Sequence, residues 1–372
     1  MNQFVNNILS MFNKPSNAPA FVTSPEYSSL NSPYSLSNIL LPILYALSDE
    51  TLDQFAQSLG ISNLSHYVRD IQNNNEKINS NCLESVTIVL SRDDIVLNNQ
   101  YLKLISNIAT HSYFSQENIS EVISKVNNTV NDSTHGMINS ILNDNDIDHA
   151  TFAVFLNTIY FKLNWHKKFD PYFTENKTFH NKLLGNRDEY FMNLHTIRVK
   201  YLELDLDRIV LLQYENPDFM FCIVLPTSEN FDPPQHNLLC RESDFVNSVV
   251  NNGIYQHINL TLPKFTKEIE LDLIPFFKNN GMTKLFDNTM QIRGMVDPQP
   301  DNISMSVIRQ KVKIEITEDG TTASGASVAV MMLESCCLRE PIKCIDFNCN
   351  HPFTYYIFHN PTRTILFSGI YE

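Results

Sequence analysis

Residues 311–327 read KVKIEITEDGTTASGAS, an apolar strand-like stretch followed by an acidic turn and then by a run of small side chains. The small run, 321–327, contains no charge, no proline and no bulky residue. Such side chains fit between two strands of a sheet without overpacking it, and they also remain solvated in an exposed loop. We therefore predict that this segment can occupy two states, one exposed and one inserted into a sheet.

The small residues after Gly320 are arranged so that insertion meets no obstacle. Side chains alternate between the two faces of a strand, so every second residue points the same way. The set that would face inward is small throughout: Thr321, Ala323, Gly325 and Ser327. A charged or very large side chain at the first of these positions would have to be desolvated, at a cost of a few kcal/mol. The sequence contains no such block.

A second motif lies near the N-terminus. The stretch 31–35, NSPYS, predicts the start of a helix, because proline is favoured at the first helical position. Apolar residues then recur at helical spacing. They are Ile39, Leu40, Ile43, Leu44 and Leu47. We expect this helix to lie in the core.

Three further motifs follow in order along the chain. The stretch 156–162, LNTIYFK, precedes the only tryptophan, Trp165. The stretch 260–265, LTLPKF, predicts a strand with a short helix after it, and 364–369, TILFSG, predicts a strand that ends in glycine. Together with the N-terminal motif and the small run, these stretches are spread over nearly the whole chain.

In this order and spacing the motifs resemble those of the serpins, inhibitors that trap proteases, and most closely the intracellular, ovalbumin-type members. The resemblance implies an α+β fold with three β-sheets, a large central sheet A, eight to nine helices and an exposed reactive-centre loop at about 318–343. No proline-, glycine- or serine-rich linker divides the chain. We therefore expect one serpin domain over residues 1–372.

The resemblance also implies a function. A serine protease would cut the exposed loop, form an acyl-enzyme and be distorted when the cut loop inserts into sheet A, so the inhibitor acts irreversibly and once. The chain would catalyse nothing and need no cofactor. Two alternatives stay open: a non-inhibitory serpin that acts as a binding protein or chaperone, and a cross-class inhibitor of cysteine proteases.

Hinge and breach residues are assigned through the same resemblance. Glu318 begins the hinge and is expected to pair with Lys264, while Gly320 permits the hinge to bend. Trp165 and Thr174 correspond to the breach, where the loop first enters the sheet.

The shutter, where the strands of the sheet must part, is assigned to Ser32, Ser35 and Asn157. Gln310 departs from the family pattern, which usually has a histidine at this position that bonds the shutter. Because an amide both donates and accepts hydrogen bonds, we expect altered energetics of sheet opening and not a loss of function.

The position of the reactive bond depends on how the loop is counted. The usual spacing of sixteen residues from Glu318 places the cut between Glu334 and Ser335, whereas counting back from Phe347 places it near Leu338. The loop is therefore about four residues longer than usual. We favour the hinge count, because sheet geometry sets the inserted length while later residues can loop out.

Each possible register predicts a different target. A cut after Glu334 indicates a Glu-specific protease. A shift of one or two residues, to Leu333 or Met332, suits a chymotrypsin-, elastase- or cathepsin G-like pocket, and Arg339 suits a trypsin-like pocket.

Charge and composition exclude several partner classes. The net charge of −14 argues against nucleic acid or an anionic membrane, because binding phosphate requires a basic patch. It also argues against heparin, since Arg92 is the one basic residue between 81 and 94. We expect a monomer whose partner is the target protease.

Cysteine usage and the N-terminus indicate the compartment. The chain has 7 cysteines, an odd number, so they cannot all pair internally. Residues 1–12 lack the basic start and unbroken apolar core of a secretory signal. Both features predict a cytoplasmic protein, with release by another route left open.

Cys336, Cys337, Cys344 and Cys349 have the wrong spacing for zinc, so no metal is expected. A hydrolase that uses one of the cysteines is a weaker third hypothesis for the function.

Overall fold

The computed structural model describes residues 30–78, 82–148, 151–204, 206–227, 245–287, 289–300, 303, 305–321 and 343–372. The chain divides into two compact units. Of the described residues, the first unit holds 31–160 and 268–313, and the second holds Leu30, 161–267 and 314–372. One domain over residues 1–372 stays a prediction.

The described residues form seven α-helices and sixteen strands. The helices are α1 (Pro33–Ala46), α2 (Asp49–Ser58), α3 (Leu64–Ile78), α4 (Asn99–Ile105), α5 (Ile119–Ser133), α6 (Phe245–Asn252) and α7 (Leu273–Asn279). The strands are β1 (Leu30–Asn31), β2 (Leu83–Arg92), β3 (Thr110–Phe114), β4 (Ala153–Phe161), β5 (Leu163–Asn164), β6 (Glu175–Phe179), β7 (Arg187–Leu204), β8 (Asp207–Gln213), β9 (Phe219–Pro226), β10 (Ile254–Pro263), β11 (Phe265–Asp272), β12 (Val307–Ile316), β13 (Gly320–Thr321), β14 (Ile345–Asn348), β15 (Phe353–His359) and β16 (Thr364–Tyr371).

Helix α1 begins where the sequence predicts. The side chain of Ser32 accepts a hydrogen bond from the backbone amide of Ser35 at 3.1 Å, and Pro33 occupies the first turn. A serine at this position satisfies an amide that has no partner within the helix. All but one of the helix residues are buried, so α1 is a core helix of the first unit.

The first unit contains part of a sheet in the order β3-β2-β4-β12. Strands β4 and β12 are parallel neighbours, from Val154 opposite Val307 to Ile159 opposite Val312. Every residue of β4 is buried, as expected for a strand in the middle of a sheet covered on both faces. Helix α5 packs its apolar side on β2 and β4.

A row of cations lies on the partly exposed face of β12. Arg309, Lys311 and Lys313 occupy alternate positions, and each donates a hydrogen bond to a backbone carbonyl of segment 137–141. Their carboxylate partners are Asp146, Glu268 and Glu270. This ionic row fastens the segment after α5 to β12.

The second unit is built around strands in the order β16-β15-β9-β8-β7-β10-β14, with β6 on β7. The 18-residue strand β7 pairs with β10 from Phe191 to Tyr201 and with β8 over its last five residues. Because β7 pairs with β10 on one side and with β8 on the other, these strands form one hydrogen-bonded sheet in the described part of the chain.

The described residues contain seven α-helices, compared with the eight to nine that the resemblance implies for the whole chain. No described helix combines the length and the apolar character needed to span a membrane.

Candidate functional site

Strand β13 is the start of the small-residue segment, and it is already part of a sheet. Thr321 pairs with Ile316 of β12 on one side and with Leu163 of β5 on the other, in both cases antiparallel. The tight turn before it is closed by Thr317, whose amide donates to the carbonyl of Gly320 at 2.9 Å. Gly320 and the first residue of the segment, Thr321, therefore form a strand between two neighbours.

Gly320 lies where no side chain fits. A Cβ added there would be 2.2 Å from the carbonyl oxygen of Leu163 and 2.6 Å from the Cα of Asn164. Its φ is not positive, so close approach to β5 is what requires glycine at this position.

Thr321 is completely buried, and its hydroxyl lies 2.6 Å from the Tyr214 hydroxyl. The ring of Tyr214 stacks on Trp165, with ring centroids 4.7 Å apart and planes 9° apart. The inward-facing position that begins the small run thus rests on a packed aromatic pair.

The segment around Trp165 holds the hinge through three hydrogen bonds. The indole Nε1 donates to the carbonyl of Thr317 at 2.8 Å, and the Trp165 amide donates to that of Asp319 at 2.8 Å. The Phe169 amide donates to the carbonyl of Glu318 at 2.9 Å. Residues 165–169 are therefore the platform on which the base of the loop rests.

Glu318 is tied to two side chains of the second unit. Lys264 Nζ lies 2.8 Å from Glu318 Oε2, and Thr174 Oγ1 donates to Glu318 Oε1 at 3.0 Å. Burial opposes ionisation of this carboxyl, but the bonds from Lys264 and Thr174 outweigh it and hold the Glu318 pKa below its ordinary value. The carboxylate is therefore ionised at neutral pH.

The predicted shutter residues lie together in the first unit. The Ser35 hydroxyl donates to Asn157 Oδ1, and Asn157 Nδ2 donates to Thr87 Oγ1 at 2.9 Å and Ser85 Oγ at 3.2 Å. This polar cluster joins helix α1 to β4 and β2. Because it is buried and hydrogen-bonded, it fixes where these elements meet.

Gln310 joins the same cluster from β12. Its Nε2 donates to Ser35 Oγ at 3.0 Å and to the carbonyl of Ser32 at 3.3 Å. Its Oε1 is buried and has no hydrogen-bond partner among the described residues. The Gln310 side chain thus donates hydrogen bonds through its nitrogen, while its carbonyl oxygen accepts none from the described residues.

Three residues of these clusters were not identified from the sequence. Tyr214 is 107 positions from Thr321, and Ser85 and Thr87 are 72 and 70 positions from Asn157, which they bond. No local motif marks them, since each acts through a contact that only the folded chain creates.

Several predicted site residues lie outside the described residues. They are Ala323, Gly325 and Ser327 of the hinge, and Met332, Leu333, Glu334, Ser335, Leu338 and Arg339 around the reactive bond. Within the part of the chain that the structure describes, no three His, Cys, Asp or Glu side chains are grouped so as to hold a metal. Burial raises the pKa of the Cys222 and Cys349 thiols, which keeps both protonated.

The family model, the related sequences and the solved structures that match this chain all belong to one family. The family model described as serpin (serine protease inhibitor) matches residues 10–372. An uncharacterised serpin-like protein of Acanthamoeba polyphaga mimivirus is 28% identical, over 100% of this chain and 88% of that protein. The leukocyte elastase inhibitor of Xenopus laevis is 26% identical, over 92% of each chain.

Solved structures show the same fold. Native protease nexin-1, crystallised with heparin, superposes with a TM-score of 0.83 at 21% identity, over 99% of this chain and 97% of that chain. The likeness confirms the predicted serpin fold. Because the family model spans nearly the whole sequence, this chain belongs to the serpin family.

Proposed function

We propose that this chain inhibits a serine protease irreversibly, by trapping the protease after it cuts the reactive-centre loop. Serpins are generally inhibitors of proteases and not enzymes. The observation that carries the proposal is β13, which places Gly320 and Thr321 as a strand between β12 and β5, with Thr321 buried. The uncharged, small residues 322–327 follow directly.

The strand pairing supports a path for insertion. Thr321 pairs antiparallel with Ile316, so residues after Thr321 would continue along β12 towards Val307. That part of β12 now pairs with β4. A cut loop that enters the sheet would therefore replace β4 as the neighbour of β12 and add a strand between them.

Such an insertion is favourable once the loop is cut. A strand within a sheet has hydrogen-bonding neighbours on both sides, and small side chains enter without overpacking the core. An uncut loop is held at both ends and cannot follow this path in full. Cleavage thus releases the free energy that distorts the trapped protease.

We propose Glu334–Ser335 as the reactive bond, since it has the usual spacing from Glu318. This register predicts a Glu-specific protease. A Xenopus laevis relative is named leukocyte elastase inhibitor, which supports the alternative of a cut after Met332 or Leu333. We further propose that the protein acts as a monomer without heparin, and a cytoplasmic location stays a prediction.

Thermal stability before and after cleavage tests the proposal. The loop would be cut within 328–341 by limiting protease, and the melting temperature of the cut and intact proteins would be compared. Insertion predicts a large rise in melting temperature, because a strand has been added to the sheet. An unchanged or lower value would support the alternative, a non-inhibitory serpin that binds or chaperones other proteins.

A further inference from the structure

A cavity of about 600 Å³ in the second unit is not used by the hinge or the shutter. This volume is in the range of small-molecule sites. Its walls come from β7, β8 and β9 and from the platform 165–169. The apolar lining is formed by Trp165, Phe169, Leu194, Ile197, Leu211 and Met220.

The polar part of the lining is cationic. Lys167, Arg198 and Lys200 all line the cavity. The Arg198 guanidinium lies 5.1 Å from the centre of the Tyr255 ring, and Lys200 Nζ lies 5.9 Å from the same centre. Tyr255 also lines the cavity and thereby positions two of the three cations.

None of the described residues that line this cavity is an aspartate or a glutamate. The chain as a whole carries a net charge of −14. The local charge of this cavity, with three cations and no carboxylate in its described lining, therefore has the opposite sign to the net charge of the protein. Like charges that line one cavity add together and create a positive potential there. The site is thus electrostatically suited to anions.

The arrangement of apolar and charged groups defines the ligand further. A small inorganic anion would make no contact with the apolar part of the lining, and a neutral apolar molecule would gain nothing from the cations. A molecule with an apolar body and one anionic head satisfies both parts of the lining.

We propose that this cavity binds an amphipathic organic anion. Its apolar body packs against Met220, Val250 and Tyr255, which are accessible apolar side chains of the lining, and its carboxylate, sulfonate or sulfate group lies among Lys167, Arg198 and Lys200. The proposal does not rest on protease inhibition, since none of the described hinge residues 318–321 lines the cavity. The bound molecule nevertheless contacts the platform whose amides hold Asp319 and Glu318.

The single tryptophan makes the site directly observable. Because Trp165 is the only tryptophan and lines the cavity, its emission reports on occupancy without interference. The probe is 8-anilinonaphthalene-1-sulfonate, an aryl sulfonate that accepts energy from excited tryptophan. Its control is N-phenyl-1-naphthylamine, the same aromatic body without the sulfonate.

We expect the sulfonate to quench Trp165 emission saturably with one molecule bound per chain, and laurate to displace it. The uncharged analogue should bind at least about tenfold more weakly, the ratio that corresponds to about 1.4 kcal/mol. Equal affinity for the sulfonate and its uncharged analogue would overturn the proposal.

Substitutions of the exposed cations locate the site. The double variant Lys167→Gln, Arg198→Gln should weaken the sulfonate by about tenfold or more and leave the uncharged analogue unchanged. Lys182→Gln is the control, since Lys182 is an exposed lysine of the same unit that does not line the cavity. If the double variant and the control bind the sulfonate equally, the anion does not lie among these cations and the assignment fails.

Discussion

Lys264 Nζ lies 2.8 Å from Glu318 Oε2 and joins the junction of β10 and β11 to the residue at which the reactive loop begins. The side chain of Glu318 is 12% exposed and that of Lys264 is 44% exposed, so the pair is shielded mainly on the carboxylate side. Thr174 bonds the other carboxylate oxygen. A single side chain thus anchors the base of the loop at two points.

The first prediction concerns the strength of this pair. In a double-mutant cycle with Glu318→Gln and Lys264→Met, we expect a coupling of about 1–2 kcal/mol, because the carboxylate is largely removed from water. Urea denaturation followed by Trp165 fluorescence measures it. The control cycle uses the exposed pair Lys177 and Glu175, whose side chains are 44% and 56% exposed and which should couple more weakly. Equal couplings in the two cycles would contradict the anchoring role.

The second prediction concerns pH. Burial opposes ionisation of Glu318, but Lys264 and Thr174 more than compensate and its folded-state pKa lies below the ordinary value of 4.5. A depressed pKa contributes stability above the unfolded-state pKa, and this contribution is lost as the pH falls through the folded-state pKa. The stability difference between the wild type and Glu318→Gln should therefore be constant from about pH 7 to 5 and shrink below about pH 4.5. Denaturation midpoints at several pH values measure this difference; a difference that stays constant down to pH 3 would show that the carboxylate is not stabilised.

The third prediction concerns Gly320. The methyl group of Gly320→Ala would lie 2.2 Å from the Leu163 carbonyl oxygen, so β13 must separate from β5. We expect a red shift of Trp165 emission, since Trp165 bonds the adjacent hinge residues, together with a lower urea midpoint. Gly185→Ala is the control: its φ is +88° and no atom lies near the added methyl, so the cost is about 1 kcal/mol without a change in emission. Identical emission from Gly320→Ala and the wild type would contradict the close approach.

The fourth prediction compares two shutter amides. Asn157→Leu leaves the hydroxyls of Ser35, Ser85 and Thr87 without this partner and should cost about 2–4 kcal/mol. Gln310→Leu removes an amide whose Oε1 is already unsatisfied, so it should cost about 1 kcal/mol or less. Urea midpoints compare the two variants. A cost for Gln310→Leu as large as that for Asn157→Leu would mean that Gln310 contributes as much as a fully bonded amide.

Local patterns were enough to predict several elements of the fold. The start of α1 followed from Ser32 and Pro33, because capping and proline placement depend on neighbouring residues alone. The apolar character of β12 predicted a strand, and its buried positions alternate as a strand requires. The assignment of Glu318 and Lys264 to one pair came from the family resemblance and not from any local pattern.

Other features depend on contacts that no local pattern encodes. Tyr214 bonds Thr321 across 107 residues, and its role depends on stacking against Trp165. That Gly320 permits the hinge to bend stays a prediction, and the structure adds a reason that the sequence does not contain: the Leu163 backbone leaves no room for a side chain. The ionic row on β12 pairs with carboxylates of β11, and the sequence does not reveal which strands are neighbours.

The central claim is that the cut loop inserts and the protease stays trapped. The protein would be mixed with chymotrypsin, elastase, cathepsin G, trypsin and a Glu-specific protease, and each mixture examined on a denaturing gel with mass spectrometry of the released C-terminal peptide. The variant Thr321→Arg is the matched control, because a charged side chain cannot occupy this buried position without a large desolvation cost.

We predict an SDS-resistant complex with at least one protease, a released peptide that begins at Ser335, and cleavage of Thr321→Arg at the same bond without a complex. Cleavage of the wild-type protein by all five proteases with no complex would contradict the inhibitory mechanism.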